Sequence, residues 1–256
     1  MRLGFALAFS VFALVSLALA ASFPPDAIVI LIGTQVSQGT EGAAIPTPTP
    51  SSQPQQTQLQ GVSAQLQNAL SKTCSPNIAE KILKYSAEAV SAARSRGNPA
   101  PTFEELAVMA AAMVMSEHQA IRGESLGVCR DSSSRLSATN DCGAFQINLH
   151  GSSIYPGKTR NQVYNTNTNP NSPDYTLSCF NPDNNVREGV YEVLGAWQAY
   201  RRNFGDYPSR SGGPPEIGYV GLIYNKGGAG AKRPSDPNNY YARFIANYNH
   251  VKSLVK

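Results

Sequence analysis

From residue 61 onward, apolar residues recur at helical spacing in stretches separated by turn formers. The most apolar of these runs from Leu106 to Met115 and is hydrophobic almost all round, the pattern of a helix placed in the middle of a core. Thr102-Phe-Glu-Glu105 precedes it in the form of a capping box, and Pro99 and Pro101 disfavour helix before that point. Upstream, Val62 to Lys72 predicts a short helix. A second starts at Ser75-Pro76 and runs through Ile78, Ile82, Tyr85 and Val90 to Gly97, which suits a left-handed cap. Downstream, Asn181-Pro182 opens a helix through Val190, Leu194, Trp197 and Tyr200 to about Phe204. Pro214-Pro215-Glu216 opens another that ends at Gly227. A last one spans about Asn239 to Leu254, with Tyr241, Phe244, Ile245, Tyr248 and Val251 on its apolar side. Between them, residues 149 to 180 are rich in Asn, Ser, Thr, Pro and Gly and read as a long irregular segment carrying Tyr155, Tyr164 and Tyr175. The pattern is that of a mainly α domain over residues 61–256.

The chain before residue 61 is different. Arg2 is followed by an apolar run from Leu3 to Ala20 that ends Ala-Leu-Ala, the layout of a secretory signal or N-terminal anchor over residues 1–20. A short apolar run, Ala27 to Gly33, is too short to span a bilayer. Residues 21–60 are otherwise dominated by Gly, Thr, Pro, Ser and Gln, including Pro46-Thr-Pro-Thr-Pro50, and read as a disordered Pro/Thr/Gln-rich linker. Such an N-terminus places the domain outside the cytoplasm, secreted or held at the membrane.

Export changes how the cysteines are read. Cys74, Cys129, Cys142 and Cys179 are an even set, so disulfides are the natural expectation. Of the three pairings, Cys129–Cys142 with Cys74–Cys179 is favoured, because the first would clip the loop after the apolar helix. No Cys-x-x-Cys or His pairing at ligand spacing supports a metal. The formal charge of +4 is mild, and no basic run with interleaved aromatics argues for nucleic acid. Gly227-Gly-Ala-Gly-Ala-Lys232 lacks the Gly-Lys-Ser/Thr of a phosphate loop.

Glu117 is the candidate for chemistry. It shares a helical stripe with Leu106, Ala110, Met113 and Ile121, and a carboxyl on such a stripe is poorly solvated. Desolvation disfavours its charged form and prepares an acid that donates a proton near neutrality. The bland reading, a helix-end glutamate turned to solvent, competes with it.

Three downstream stretches resemble the motifs of soluble lytic transglycosylases. Ser137, Gly143 and Gln146 keep that family's Ser-to-Gly-to-Gln spacing. Asn185, Val186 and Gly189 match its Asn-aliphatic-Gly stretch, and Tyr224-Asn225-Lys-Gly227 its Tyr-Asn-x-Gly signature. Ile223 and Lys226 stand where the family usually has Ala. Asp141 to Asn148 also resembles the Asp-x-Gly-x-x-Gln-Ile-Asn of animal-type lysozymes, relatives with the same fold as the goose type.

The resemblance implies a lysozyme-like helical domain that acts, without cofactor or metal and as a monomer, on peptidoglycan glycan strands. One glutamic acid would cleave the bond between N-acetylmuramic acid and N-acetylglucosamine and leave a 1,6-anhydro product. Ser137, Gln146, Tyr224 and Asn225 would orient the sugar and the acid. Two glutamates compete for the acid's role. Glu124 with Ser125 has the family's Glu-Ser pair, and Glu117 has the better physical setting and is preferred. The close alternative is a hydrolytic muramidase with Asp141 as second carboxylate. The alternative from another class is a non-catalytic wall-binding module.

Overall fold

The computed structural model describes residues 55–119, 126–130, 136–203, 205, 207, 215–233, 235–236 and 238–255. The N-terminal signal, the linker before residue 55 and Glu124 lie outside the described residues. Six α-helices are present among those described: α1 (Gln55–Thr73), α2 (Pro76–Ser95), α3 (Phe103–Glu117), α4 (Pro182–Arg202), α5 (Pro215–Ala231) and α6 (Tyr240–Leu254). The only described strands, β1 (Asp141–Cys142) and β2 (Ile147–Asn148), form a two-residue antiparallel ladder. The domain is therefore mainly α, as the periodicity predicts. Among the described residues, no helix is long and apolar enough to cross a membrane.

The helix ends follow local chemistry. The Thr102 side chain accepts from the Glu105 amide at 3.1 Å and starts α3. Asn181 does the same for Asp183, with Pro182 in the first turn of α4. Gly97 stands at φ +71°, where α2 ends. α1 begins at Gln55, inside the segment read from sequence as linker. Pro54 is the last proline there, and the Gln and Leu residues after it are good helix formers. Gly227, at φ +68°, interrupts α5 where sequence predicted its end, and the chain then completes one further turn.

α3 is the centre of the packing. Every residue from Leu106 to Ser116 is buried, and α3 touches α1, α2, α4 and α6. Ala107, Ala110, Ala111 and Ala112 keep its girth small, so neighbouring helices approach closely. Leu106, Met109 and Met113 have no exposed surface, and each fully buried side chain of this kind contributes about 1.5–3 kcal/mol. Such a helix carries its C-terminal residue, Glu117, directly out of the core.

The disulfides correct the expected pairing. Cys74 bonds Cys129, and Cys142 bonds Cys179. Neither Cys129–Cys142 nor Cys74–Cys179 forms. The cause is tertiary. The Ser75 amide donates to the Cys129 carbonyl at 2.8 Å, which lays residue 74 beside residue 129. The buried Asn185 amide donates to the carbonyls of both Cys142 and Cys179, at 2.8 and 3.1 Å, which draws those two together. The bridges close loops with sequence separations of 55 and 37 residues, each worth about 4 kcal/mol in the chain-entropy model. Two disulfides indicate folding in an oxidising, extracytoplasmic environment.

Candidate functional site

The site is assembled on the turn between β1 and β2. Gly143 and Gln146 both take positive φ, +72° and +47°, and the Gln146 amide closes the turn on the Gly143 carbonyl at 3.0 Å. Gly143 is required twice: for its left-handed backbone, and because a Cβ there would collide with the Asn185 side chain. Asn185 also accepts from the Phe145 amide at 2.9 Å. A Cβ at Gly189 would strike the Phe145 ring. The Asn185–Gly189 stretch of α4 thus works as a clamp that fixes the turn.

Two further side chains dock on the carbonyls of that turn. The Tyr224 hydroxyl donates to the Phe145 carbonyl at 2.7 Å. The His118 ring lies with Nε2 3.0 Å from the Ala144 carbonyl, and since a carbonyl only accepts, Nε2 carries the proton. His118 directly follows Glu117, so this bond brings the end of α3 to the turn. Helix α6 holds the same end from the other side. Arg243 donates to the Ser116 carbonyl, and Asn247 donates to the Ser116 hydroxyl at 3.0 Å and to Gln119 at 3.1 Å.

Glu117 itself is half-buried. The Tyr240 hydroxyl donates to its Oε1 at 2.5 Å, and among the described residues Oε2 has no hydrogen-bond partner. Burial pushes its pKa up from 4.5 to about 7. The Tyr240 hydrogen bond and the Arg243 guanidinium oppose that rise, while the charges of Asp141 and Glu192 reinforce it. The greasy stripe therefore does what the sequence predicts, with one amendment. The residue stays partly open to solvent, and Tyr240 occupies only one of its two carboxyl oxygens among the described residues.

The other expected site residues divide. Tyr224 is brought to Glu117 closely enough for the two to act on each other electrostatically, and burial raises its phenol well above the ordinary value. Gln146 is half-buried, and its Nε2 turns back onto the Gly143 carbonyl at 2.7 Å. Ser137 is tied up locally: its hydroxyl donates to Asp141 Oδ2 at 2.9 Å and accepts from the Asp141 amide at 2.9 Å. Asn225 is exposed, and among the described residues no hydrogen bond reaches its side chain. Asp141 accepts on both oxygens, from Ser137 and Thr139 on Oδ2 and from Asn148 at 2.8 Å on Oδ1. It acts as the brace of the hairpin. Among the loop tyrosines, Tyr164 and Tyr175 are anchored through their hydroxyls to Glu188 and the Phe180 carbonyl, whereas Tyr155 is 38% exposed.

Sequence reasoning missed Tyr240, Arg243 and Glu192. Tyr240 lies on the helical stripe of Phe244 and Val251, so its burial was readable, but its partner is 123 residues away. No group of three or more potential metal ligands occurs among the described residues. Comparison with protein-family models, curated proteins and solved structures finds no match for the chain.

Tyr240 provides a direct check on how the acid is tuned. Its hydrogen bond favours ionised Glu117, so Tyr240→Phe should raise the Glu117 pKa and move the alkaline limb of any activity profile to higher pH. A hydrogen bond to a charged group is worth about 1.5 kcal/mol, so the rate below that limb should fall by roughly tenfold at most. A pH–rate profile unchanged from the parent would show that Tyr240 does not govern the titration.

Proposed function

We propose that the protein is a peptidoglycan lytic transglycosylase with Glu117 as its acid. The observation that carries the reading is a half-buried carboxyl with a pKa of about 7, hydrogen-bonded to Tyr240 at the helix end that His118 ties to the turn bearing Gln146. Near neutrality much of it is protonated, the state an acid needs in order to donate to a glycosidic oxygen. The motif resemblance supplies the substrate class. Glu117 gives its proton to the oxygen between N-acetylmuramic acid and N-acetylglucosamine, and an oxocarbenium-like transition state follows. The resulting carboxylate then takes the proton of the muramyl 6-hydroxyl as that oxygen closes on the anomeric carbon. The acid is restored and a 1,6-anhydro sugar leaves.

A reaction of this kind needs one carboxylate. The hydrolytic alternative assigns Asp141 to activate water, and the three donors already on Asp141 leave it poorly suited to that task. Mass spectrometry of fragments released from purified peptidoglycan tests the choice. Fragments lighter by one water than the reducing-end products are expected. Reducing ends alone would make the enzyme a hydrolase, and the absence of any released fragment would favour a wall-binding module.

A further inference from the structure

A third carboxylate stands on the same site, and neither the motifs nor the mechanism above uses it. Glu188 and Glu192 are one turn apart on α4, so their like charges crowd one helix face. Arg160, from the irregular segment after β2, enters between them. Its Nε lies 3.2 Å from Glu188 Oε2 and its NH2 2.7 Å from Glu192 Oε2.

The two carboxylates differ in what remains for them to do. The Glu188 side chain has no exposed surface, and it is saturated by Arg160, Tyr164, Ser153 and the Ile154 amide. It is a structural anchor. The Glu192 side chain is 33% exposed, and Arg160 holds only Oε2. Among the described residues Oε1 accepts no hydrogen bond. Arg160 also donates to the Asn148 carbonyl at 3.2 Å, which ties the triad to β2, next to Asp141. Glu192 lies close enough to Glu117, Tyr224 and Asp141 for its charge to act on all three.

We propose that Glu192 is a substrate-contacting carboxylate, fixed by Arg160 through Oε2 and offering Oε1 to a hydroxyl or acetamido N–H of the bound glycan. This rests on the transglycosylase reading of the site. The ion pair removes the rotamer freedom that a lone glutamate would lose on binding. It also leaves one oxygen unoccupied, and a carboxylate acceptor makes a stronger hydrogen bond than a neutral one.

The test is tetrasaccharide binding, measured by calorimetry in the Glu117→Gln background so that no turnover intervenes. The probe is an alternating N-acetylmuramic acid–N-acetylglucosamine tetrasaccharide. Adding Glu192→Gln keeps the side-chain volume and an acceptor toward Arg160, and it should weaken binding by about tenfold, the scale of one charge-assisted hydrogen bond. Glu192→Asp keeps the charge but withdraws it by one methylene. It should weaken binding similarly, and it serves as the readout if the Gln form does not fold. Affinities equal to the parent in the folded variants overturn the assignment of Glu192 alone. A Glu117→Gln parent that binds no tetrasaccharide overturns the reading of the whole site.

Discussion

Replacing Glu117 with Gln should abolish glycan cleavage, by a thousandfold or more on the scale of a lost general acid that also serves as the base, and should leave a protein more stable than the parent at alkaline pH. The second effect follows from the first observation. The folded pKa of about 7 stands above the ordinary 4.5 because burial disfavours the charged carboxyl. Between those values the native state holds more protons than the unfolded chain, so stability falls as pH rises. The contribution of Glu117 is complete below the unfolded pKa and is lost as pH climbs through about 7. The gap corresponds to on the order of 3 kcal/mol, less what water recovers at a half-exposed side chain. The Gln form carries no such penalty, and its amide oxygen still accepts from Tyr240. Thermal unfolding curves of the two proteins should therefore coincide near pH 4 and separate toward pH 8, with the variant melting higher, by roughly the amount that linkage predicts. Parallel curves would show that Glu117 is not the group that titrates. Undiminished cleavage would pass the acid's role to Glu124.

The elements that place Glu117 were legible because each is dictated locally. Thr102, the run from Leu106 to Met115 and the Pro-led starts of α2 and α4 need no partner to declare themselves. The turn was legible for a related reason: Gly143 and Gln146 stand where backbone geometry is unusual, and Gly143 permits no other residue. The cysteine pairing was not legible. It depends on Asn185 gathering Cys142 and Cys179, and on a backbone bridge between Cys74 and Cys129, and both are tertiary facts. Ser137 and Asn225 show the limit of motif spacing. It singles both out, but in this structure Ser137 braces Asp141 and Asn225 faces solvent. Glu188 and Glu192 did leave a trace. Two acids one turn apart on an otherwise well-buried helix call for a cation between them. The sequence could not say that the cation would be Arg160, which arrives from an irregular segment 28 residues before Glu188.

The largest loss of stability should come from Asn185→Ala, a change that touches neither acid nor substrate. Asn185 is 1% exposed and makes three hydrogen bonds: from Nδ2 to the carbonyls of Cys142 and Cys179, and at Oδ1 from the Phe145 amide. Alanine would take the Asn185 hydrogen bond away from one buried N–H and two buried carbonyls. Each such group costs about 1–3 kcal/mol, so a loss of roughly 3–5 kcal/mol is expected after partial relief by entering water. In a domain of this size that lowers the melting temperature by about 10 °C. The effect on the site should outrun the effect on the fold. The clamped turn presents the carbonyls that fix His118 and Tyr224, and His118 sets the end of α3 from which Glu117 projects. At temperatures where the variant is still folded, cleavage should therefore drop well beyond what its unfolded fraction explains. Asn185→Asp should be no better, because it loses both donated bonds and buries a charge. A variant that melts within about 2 °C of the parent, a shift that corresponds to less than about 1 kcal/mol, would mean that the turn is held by its own hairpin and by the Cys142–Cys179 bridge. The resemblance of Asn185 to a family motif would then reflect a well-capped core helix, with Asn181 as its cap, rather than the architecture of the site.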